Sequence, residues 1–380
     1  MLQKYSLEKN KIKVLLLEGI HKSAFDFFTA NGYTNIETLP GSLDDTALKA
    51  KIKNVNIIGI RSRTEITADV LSRAEKLFAI GCFSIGTNQV DGRAARMRGI
   101  PVFNAPFSNT RSVAELVIAE CILLMRNIPV KNAAAHKGHW LKSASNSFEI
   151  RGKNLGIIGY GHIGSQVSIM AEAIGMNVYY YDIAKKLSLG KAVACSTLEE
   201  LLSVAHVVTL HVPETPLTRD MIGEKELALM RKGSCLINAS RGSVVNIPAL
   251  VSALKSEHIL GAALDVFPEE PVSSGDMFVS DLRMFENVIL SPHVGGSTTE
   301  AQENIGTEVA EKLVRYSDTG DTIGATNFVQ ISLQPNRNAQ RFLHIHKNEP
   351  GLLKEVNYVF TSKGINIAAE YLQTDADVGY

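Results

Sequence analysis

Three residues, each just beyond an apolar run, combine types that can carry acid–base and carboxylate chemistry. They are Arg241 after Cys235–Ala239, Glu270 after Ile259–Phe267, and His293 after Val288–Leu290. The planar fork of Arg241 matches a carboxylate bidentately and can polarise an adjacent carbonyl. His293 can take the hydroxyl proton of an alcohol as hydride leaves, and return it in the reverse direction. Glu270 can fix the tautomer of that imidazole and stabilise its imidazolium. Aimed at a 2-hydroxy carboxylate, the trio makes a hydride-transfer site. Singly, each has a plainer reading: Arg241 as a loop charge, Glu270 as a solvated acid between prolines, His293 as a helix-cap or packing residue.

The elements that must position this trio start with Lys153–Asp182. Leu155–Ile158 reads as a buried strand, Gly159-Tyr160-Gly161-His162-Ile163-Gly164 as a G-x-G-x-x-G turn, Val167–Ile174 as a helix and Val178–Tyr181 as a second strand ending in Asp182. Gly159 makes the tight turn, Gly161 lets a pyrophosphate approach the backbone, and Gly164 lets helix and strand pack closely. N–H groups at the helix start face the anion. An acid roughly 20 residues on suits adenine ribose hydroxyls, so Asp182 favours NAD over NADP. A lone G-x-G-x-x-G is weak; strand, turn, helix, strand and acid in register are not.

At 380 residues the chain predicts two or three domains. It is 45% hydrophobic and 21% charged, as globular proteins are, and Lys+Arg balances Asp+Glu at 39 each. No global field therefore favours nucleic acid or an anionic membrane, and no apolar run is long enough to span a bilayer. The N-terminus lacks a signal-peptide core, which points to the cytoplasm. Cys82, Cys121, Cys195 and Cys235 form no C-x-x-C pair and read as reduced core residues, with no metal site expected.

Strands at Val14–Leu17, Ile57–Ile60 and Phe78–Ile80 alternate with helices at Ser23–Ala30, Thr67–Ala74 and Val90–Met97, and Pro101–Asn104 is a further short strand. Such alternation implies a parallel sheet covered on both faces. A helical pattern from Asn109 to Lys137 should kink or divide at Pro129. The loop after it carries Trp140, either a packed surface aromatic or an anchor between subunits. After Asp182 the alternation resumes and predicts a complete doubly wound sheet with ligands at its strand ends. A second long helix, Thr298–Ser317, has Ile305, Val309 and Leu313 on one face. Asp318–Ala339 reads as a linker. Beyond it Arg341–His346 and Ile365–Leu372 read as strands around a helix at Pro350–Thr361.

The strings GYGHIG, LHVPET, INASRG, ALDVFPEEP and SPHVGGST resemble the D-2-hydroxyacid dehydrogenase superfamily. RSRT at Arg61–Thr64, IGCFSIGTNQVD at Ile80–Asp91 and FNAPFSNTRSVAE at Phe103–Glu115 narrow the resemblance to its D-3-phosphoglycerate dehydrogenase family, of the shorter bacterial type. It runs over essentially the whole chain and implies an α/β fold of two doubly wound parallel-sheet lobes. One is a Rossmann NAD domain (109–298); the other is a flavodoxin-like substrate domain (1–108, completed by 299–333). A partial βαβ ACT-like module follows (339–380).

The resemblance implies catalytic roles for Arg241, Glu270 and His293. It places NAD contacts at His162, Ile163, Asp182, Ala239, Ser240, Arg241, Asp265, His293, Val294, Gly295 and Gly296. The substrate would be 3-phosphoglycerate. Arg61 and Arg63, alternate residues at a strand end facing the interlobe cleft, would hold its phosphate, with Lys142 approaching from a neighbouring subunit of a homo-oligomer. His344–Gly351 and Gly364–Thr374 resemble the ACT module, which implies a serine effector at His346, Asn348 and Asn366. Asn348 precedes the Pro350 helix start, where N–H groups attract a carboxylate. Only the first β-α-β of that module is in this sequence, so a weak response to serine is expected. Two alternatives share the fold: a hydroxypyruvate or glyoxylate reductase, which has no use for Arg61 and Arg63, and an NAD-sensing corepressor.

Overall fold

A computed structural model describes residues 7–271, 275–334 and 339–380. They fall into two compact units, one of the described residues up to Ser108 with those from Gln302 onward, the other of those from Asn109 to Ala301.

In the first unit five short parallel strands alternate with helices. β1 (Val14–Leu16) is followed by α1 (Lys22–Ala30), β2 (Ile36–Thr38), α2 (Asp45–Ile52) and β3 (Ile57–Ile60); then come α3 (Ala68–Arg73), β4 (Ala79–Cys82), α4 (Gly92–Met97) and β5 (Val102–Asn104). Their spatial order is β2-β1-β3-β4-β5, the flavodoxin-like winding. Every residue of β3 and β4 is buried, as a parallel sheet covered on both faces requires. Asp44, Thr67 and Asp91 cap α2, α3 and α4 through side-chain oxygens, satisfying N–H groups the helices leave unpaired. The sequence reading missed β2 and α2. Ile-Glu-Thr is too short and only half buried, and α2 has little apolar contrast between its faces.

The second unit opens with a helical pattern that divides. α5 (Thr110–Met125) ends before Asn127, whose φ of 52° is left-handed, and α6 (Ile128–His136) starts anew with Pro129 in its first turn. The break therefore falls two residues before the proline, because proline is welcome at a helix start. Then come β6 (Asn154–Ile158), α7 (His162–Ala173), β7 (Asn177–Tyr181), β8 (Val193–Ala194), α8 (Leu198–Val204), β9 (Val207–Leu210), α9 (Glu224–Leu229), β10 (Ser234–Asn238), α10 (Ile247–Lys255), β11 (Ile259–Leu264) and β12 (Val288–Leu290). The seven strands are all parallel, in the order β8-β7-β6-β9-β10-β11-β12, a Rossmann winding that reverses between β6 and β9. Separate apolar clusters cover its two faces, one built on α8, α9 and α10 and the other on α5 and α7.

α11 (Thr299–Thr319) buries Ile305, Val309 and Leu313 in the core of the first unit. The stretch read as a linker is instead part of that core. Thr322, Phe328 and Val329 are buried and Ala325 bridges to Phe103, while 335–338 lie outside the described residues. The C-terminal segment departs most from expectation. β13 is only His346–Lys347, α12 spans Leu352–Thr361, and β13 pairs antiparallel with β14 (Val378–Gly379). Ile365–Leu372 makes no ladder; Ile365, Ile367, Tyr371 and Leu372 are exposed, and without a face to bury alternation alone does not hold a strand. All four cysteines are buried and unbridged.

Candidate active site

The end of β6 turns sharply into α7. Gly159 has φ +90°, and a β-carbon there would stand 2.3 Å from the His211 carbonyl oxygen; one on Gly164 would stand 2.2 Å from the Gly159 oxygen. The turn thus tolerates only glycine at both positions. Gly161 differs: nothing lies within 4 Å of the point where its β-carbon would be. It is also the N-cap of α7, with no side chain to satisfy the first turn. An open approach to a helix N-terminus over a residue without a β-carbon fits a dinucleotide pyrophosphate. At the end of β7 the Asp182 carboxylate is held on two sides, accepting from Tyr160 N–H at 2.8 Å and Ala184 N–H at 2.8 Å. That geometry presents an acid beside the turn, where ribose hydroxyls would lie. His162 is exposed and Ile163 half buried on the first turn of α7.

Three further strand ends in the same sheet carry the trio. After β10, the buried Asn238 moulds the turn. Its Oδ1 accepts from Ser240 N–H (3.1 Å) and the Ser240 hydroxyl (2.8 Å), while its Nδ2 donates to the Arg241 carbonyl (2.9 Å). Ala239 and Arg241 are half buried there, and Arg241 donates to the Ser240 carbonyl at 2.6 Å. Gly242 lets this turn press against the loop after β11; a β-carbon would stand 2.0 Å from the Phe267 carbonyl. In that second loop Glu270 Oε1 accepts from Phe267 N–H at 3.1 Å, and Oε2 faces His293 Nδ1 at 2.9 Å. An ionised carboxylate can only accept, so Nδ1 carries the proton and Nε2 is the basic nitrogen.

His293 itself has a left-handed backbone, φ 55°. Asp265 holds the surrounding loop: Oδ1 accepts from the Ser291 hydroxyl (2.6 Å) and Val294 N–H (2.8 Å), Oδ2 from Gly295 N–H (2.7 Å). Ser112 of α5 ties the same loop down by donating to the Gly295 carbonyl, with Gly296 next in the chain.

The Glu270 hydrogen bond and charge raise the His293 pKa above the ordinary imidazole value, against burial and the Arg241 charge. For Glu270 burial pulls upward, yet the His293 hydrogen bond and charge, the Phe267 N–H and Arg241 together hold it below the ordinary glutamate range. The pair therefore favours its charged form, and Arg241 adds a fixed cation. This arrangement can anchor a carboxylate and exchange a proton at one atom, Nε2. Asn238 and Ser291 were not singled out from the sequence. Only their place inside known strings hinted at them, because what they do depends on partners brought together by the turns.

In the first unit Arg61 and Arg63 follow β3, but the chain bends at Ser62–Arg63 instead of continuing as a strand. Strand alternation is thus not what groups them. The backbone N–H groups of Arg61, Arg63 and Thr64 all donate to the Glu18 carboxylate (3.2, 3.0 and 2.9 Å). Lys142 is exposed beside Trp140, itself 86% exposed. The effector trio is placed differently from expectation. α12 begins at Leu352 after Gly351, so Asn348 is not at its N-terminus; the Asn348 amide donates instead to the Asp375 carbonyl at 2.7 Å. His346 Nδ1 lies 2.8 Å from the Lys347 carbonyl and its ring stacks on His344, while Asn366 is exposed. Among the described residues no helix is long and apolar enough to cross a membrane.

Comparison with known proteins places this geometry among others. Residues 118–295 match the family model "D-isomer specific 2-hydroxyacid dehydrogenase, NAD binding domain". The chain is 60% identical over 377 residues to the D-3-phosphoglycerate dehydrogenase of Escherichia coli (strain K12), covering 99% of this chain and 92% of that protein. It is 58% identical over 380 residues to that of Haemophilus influenzae, covering 100% of this chain and 93% of the relative. In three dimensions it is similar to a D-lactate dehydrogenase from Aquifex aeolicus solved with NAD and lactic acid (TM-score 0.71, 28% identity, 80% of this chain and 96% of that one).

Proposed function

The chain belongs to the D-3-phosphoglycerate dehydrogenase family of 2-hydroxyacid dehydrogenases, and we propose on that premise that it oxidises 3-phosphoglycerate to 3-phosphohydroxypyruvate with NAD, the first step of L-serine biosynthesis. Bound NAD supplies the acceptor for hydride from the substrate's C2. His293 Nε2 takes the C2 hydroxyl proton, and Glu270 stabilises the imidazolium that forms through the 2.9 Å bond to Nδ1. Arg241 clamps the substrate carboxylate and polarises the carbonyl that develops beside it. Gly159, Gly161, His162, Ile163, Gly164 and Asp182 hold the dinucleotide, with the turns at Ala239–Arg241, Asp265 and Val294–Gly296. Arg61 and Arg63 take the phosphate, with Lys142 contributed from a second copy in a homo-oligomer.

The observation that carries this reading is the Glu270–His293 pair beside the Arg241 turn. The test is NADH formation or consumption across 2-hydroxy and 2-oxo acids with and without phosphate. Alanine at Arg61 or Arg63 removes a charge-assisted contact worth about 1.5–3 kcal/mol, raising KM for the phosphorylated substrate roughly 10- to 150-fold and leaving hydroxypyruvate nearly unchanged. Equal losses on both substrates would refute the phosphate assignment. His293→Asn should lower kcat by about 10²–10⁴ with NADH affinity intact; near-normal turnover would reopen the corepressor reading.

In this proposal serine acts as an effector through His346, Asn348 and Asn366 with only a weak effect on activity, and the enzyme works in the cytoplasm. Titrating activity with serine, alone and after Asn348→Ala, tests the effector site. Light scattering tests the oligomer.

A further inference from the structure

We infer that Glu18, seconded by Gln89, is the positioning pair of the phosphate site. This rests on the reading of Arg61 and Arg63 as phosphate ligands and deepens it. Glu18 follows the end of β1 with φ 63°, and Gly19 follows with φ 60°. A non-glycine residue in the left-handed region is uncommon and needs compensation. Here the compensation lies in the side chain. Two left-handed residues in succession bring the Glu18 carboxylate, only 8% exposed with its residue, against the chain leaving β3. Oε1 accepts from Arg61 N–H and Thr64 N–H, and Oε2 from Arg63 N–H. From Gln89, Nε2 donates to the Arg61 carbonyl at 2.6 Å and reaches the Ser84 hydroxyl at 3.3 Å. Both polar groups of the Arg61 backbone are thereby held by side chains distant in sequence.

The consequence is chemical as well as geometric. Several backbone N–H groups converging on one point make a site for an anion. Glu18 fills that site with the protein's own carboxylate, so the substrate phosphate cannot use it and must be read by guanidinium side chains. Among the described residues, no ion pair joins Glu18 to Arg61 or Arg63. The carboxylate shapes the loop without taking up the cations that the loop presents. Phosphate preference then depends on Glu18 although it touches no substrate.

Glu18→Gln keeps the shape but sets an amide NH₂ against a backbone N–H. The expected result is at least a tenfold rise in KM for 3-phosphoglycerate. kcat/KM for hydroxypyruvate and NADH affinity should stay within threefold of the parent. In an Arg61→Ala/Arg63→Ala background the same change should add less than twofold. Gln89→Ala, which leaves Glu18 in place, should raise the same KM at least threefold and supplies the test if Glu18→Gln does not fold. If the arginine variants lose phosphate preference while Glu18→Gln and Gln89→Ala keep it, or if losses are equal on both substrates, the positioning role is overturned and the phosphate site stands. If the arginine variants themselves keep phosphate preference, the underlying assignment falls instead, and this inference with it.

Discussion

Gly242→Ala is the substitution whose effect the geometry predicts most directly. A β-carbon at 242 would stand 2.0 Å from both the carbonyl carbon and oxygen of Phe267 and 2.5 Å from Pro268 N. All three are backbone atoms, so no side-chain rotation relieves the clash. Ordinary contact begins at 3.4 Å, so the turn carrying Arg241 and the loop carrying Glu270 must separate by about 1.4 Å. Misplacement of about 1 Å in a reacting constellation costs around 10²-fold, and overpacking of this kind costs roughly 1–3 kcal/mol of stability. We expect kcat/KM for 3-phosphoglycerate to fall by about two orders of magnitude, with a lower melting temperature, by absorbance kinetics and calorimetry. Gly161→Ala is the contrast: its methyl meets open space, so the protein should melt normally but bind NADH weakly by fluorescence. A Gly242→Ala protein with kcat/KM within threefold of the parent and an unchanged melting temperature would refute the claim that this contact sets the Arg241 turn.

In the oxidative direction His293 must be neutral, so kcat/KM should rise with pH through its raised pKa and the reductive rate should fall through the same value. Glu270→Gln removes the main cause of the shift; the limb should move to lower pH and its plateau should drop, and a stationary limb would exclude the pairing. Asp182→Ala should narrow the preference for NAD over NADP, since the carboxylate held by Tyr160 and Ala184 then no longer repels a 2′-phosphate; an unaltered ratio of kcat/KM values would place cofactor choice elsewhere. Glu120, 2% exposed on α5, is pushed up to about 8 by burial and by the Asp265 charge. The folded state then holds a proton that the unfolded chain releases near the ordinary value of about 4.3, so stability declines as pH rises across that window up to about 8. Glu120→Gln abolishes this slope, and melting curves from pH 5 to 8 should show the variant gaining on the parent; a constant gap would disprove it.

Features whose parts are neighbours along the chain are legible without a structure. Strand, glycine turn, helix and acid between Lys153 and Asp182 are neighbours along the chain, so spacing alone exposes them. Regular βα alternation implied both parallel sheets, because such connections leave few other windings. The three strand ends bearing Arg241, Glu270 and His293 followed from the same logic.

Tertiary packing settled which distant side chains act on the loops after the strands. Glu18 reaches Arg61 and Thr64 across 43 and 46 residues, and Asp265 reaches Val294 across 29; no periodicity encodes such pairs. It also decided that Thr322–Ile331 packs as core, since buried Phe328 and Val329 need the first unit's surface against them. The alternating Ile365–Leu372 fails as a strand for the complementary reason. A strand is completed by hydrogen bonds to a neighbour and by a face to bury, and neither is a property of its own sequence.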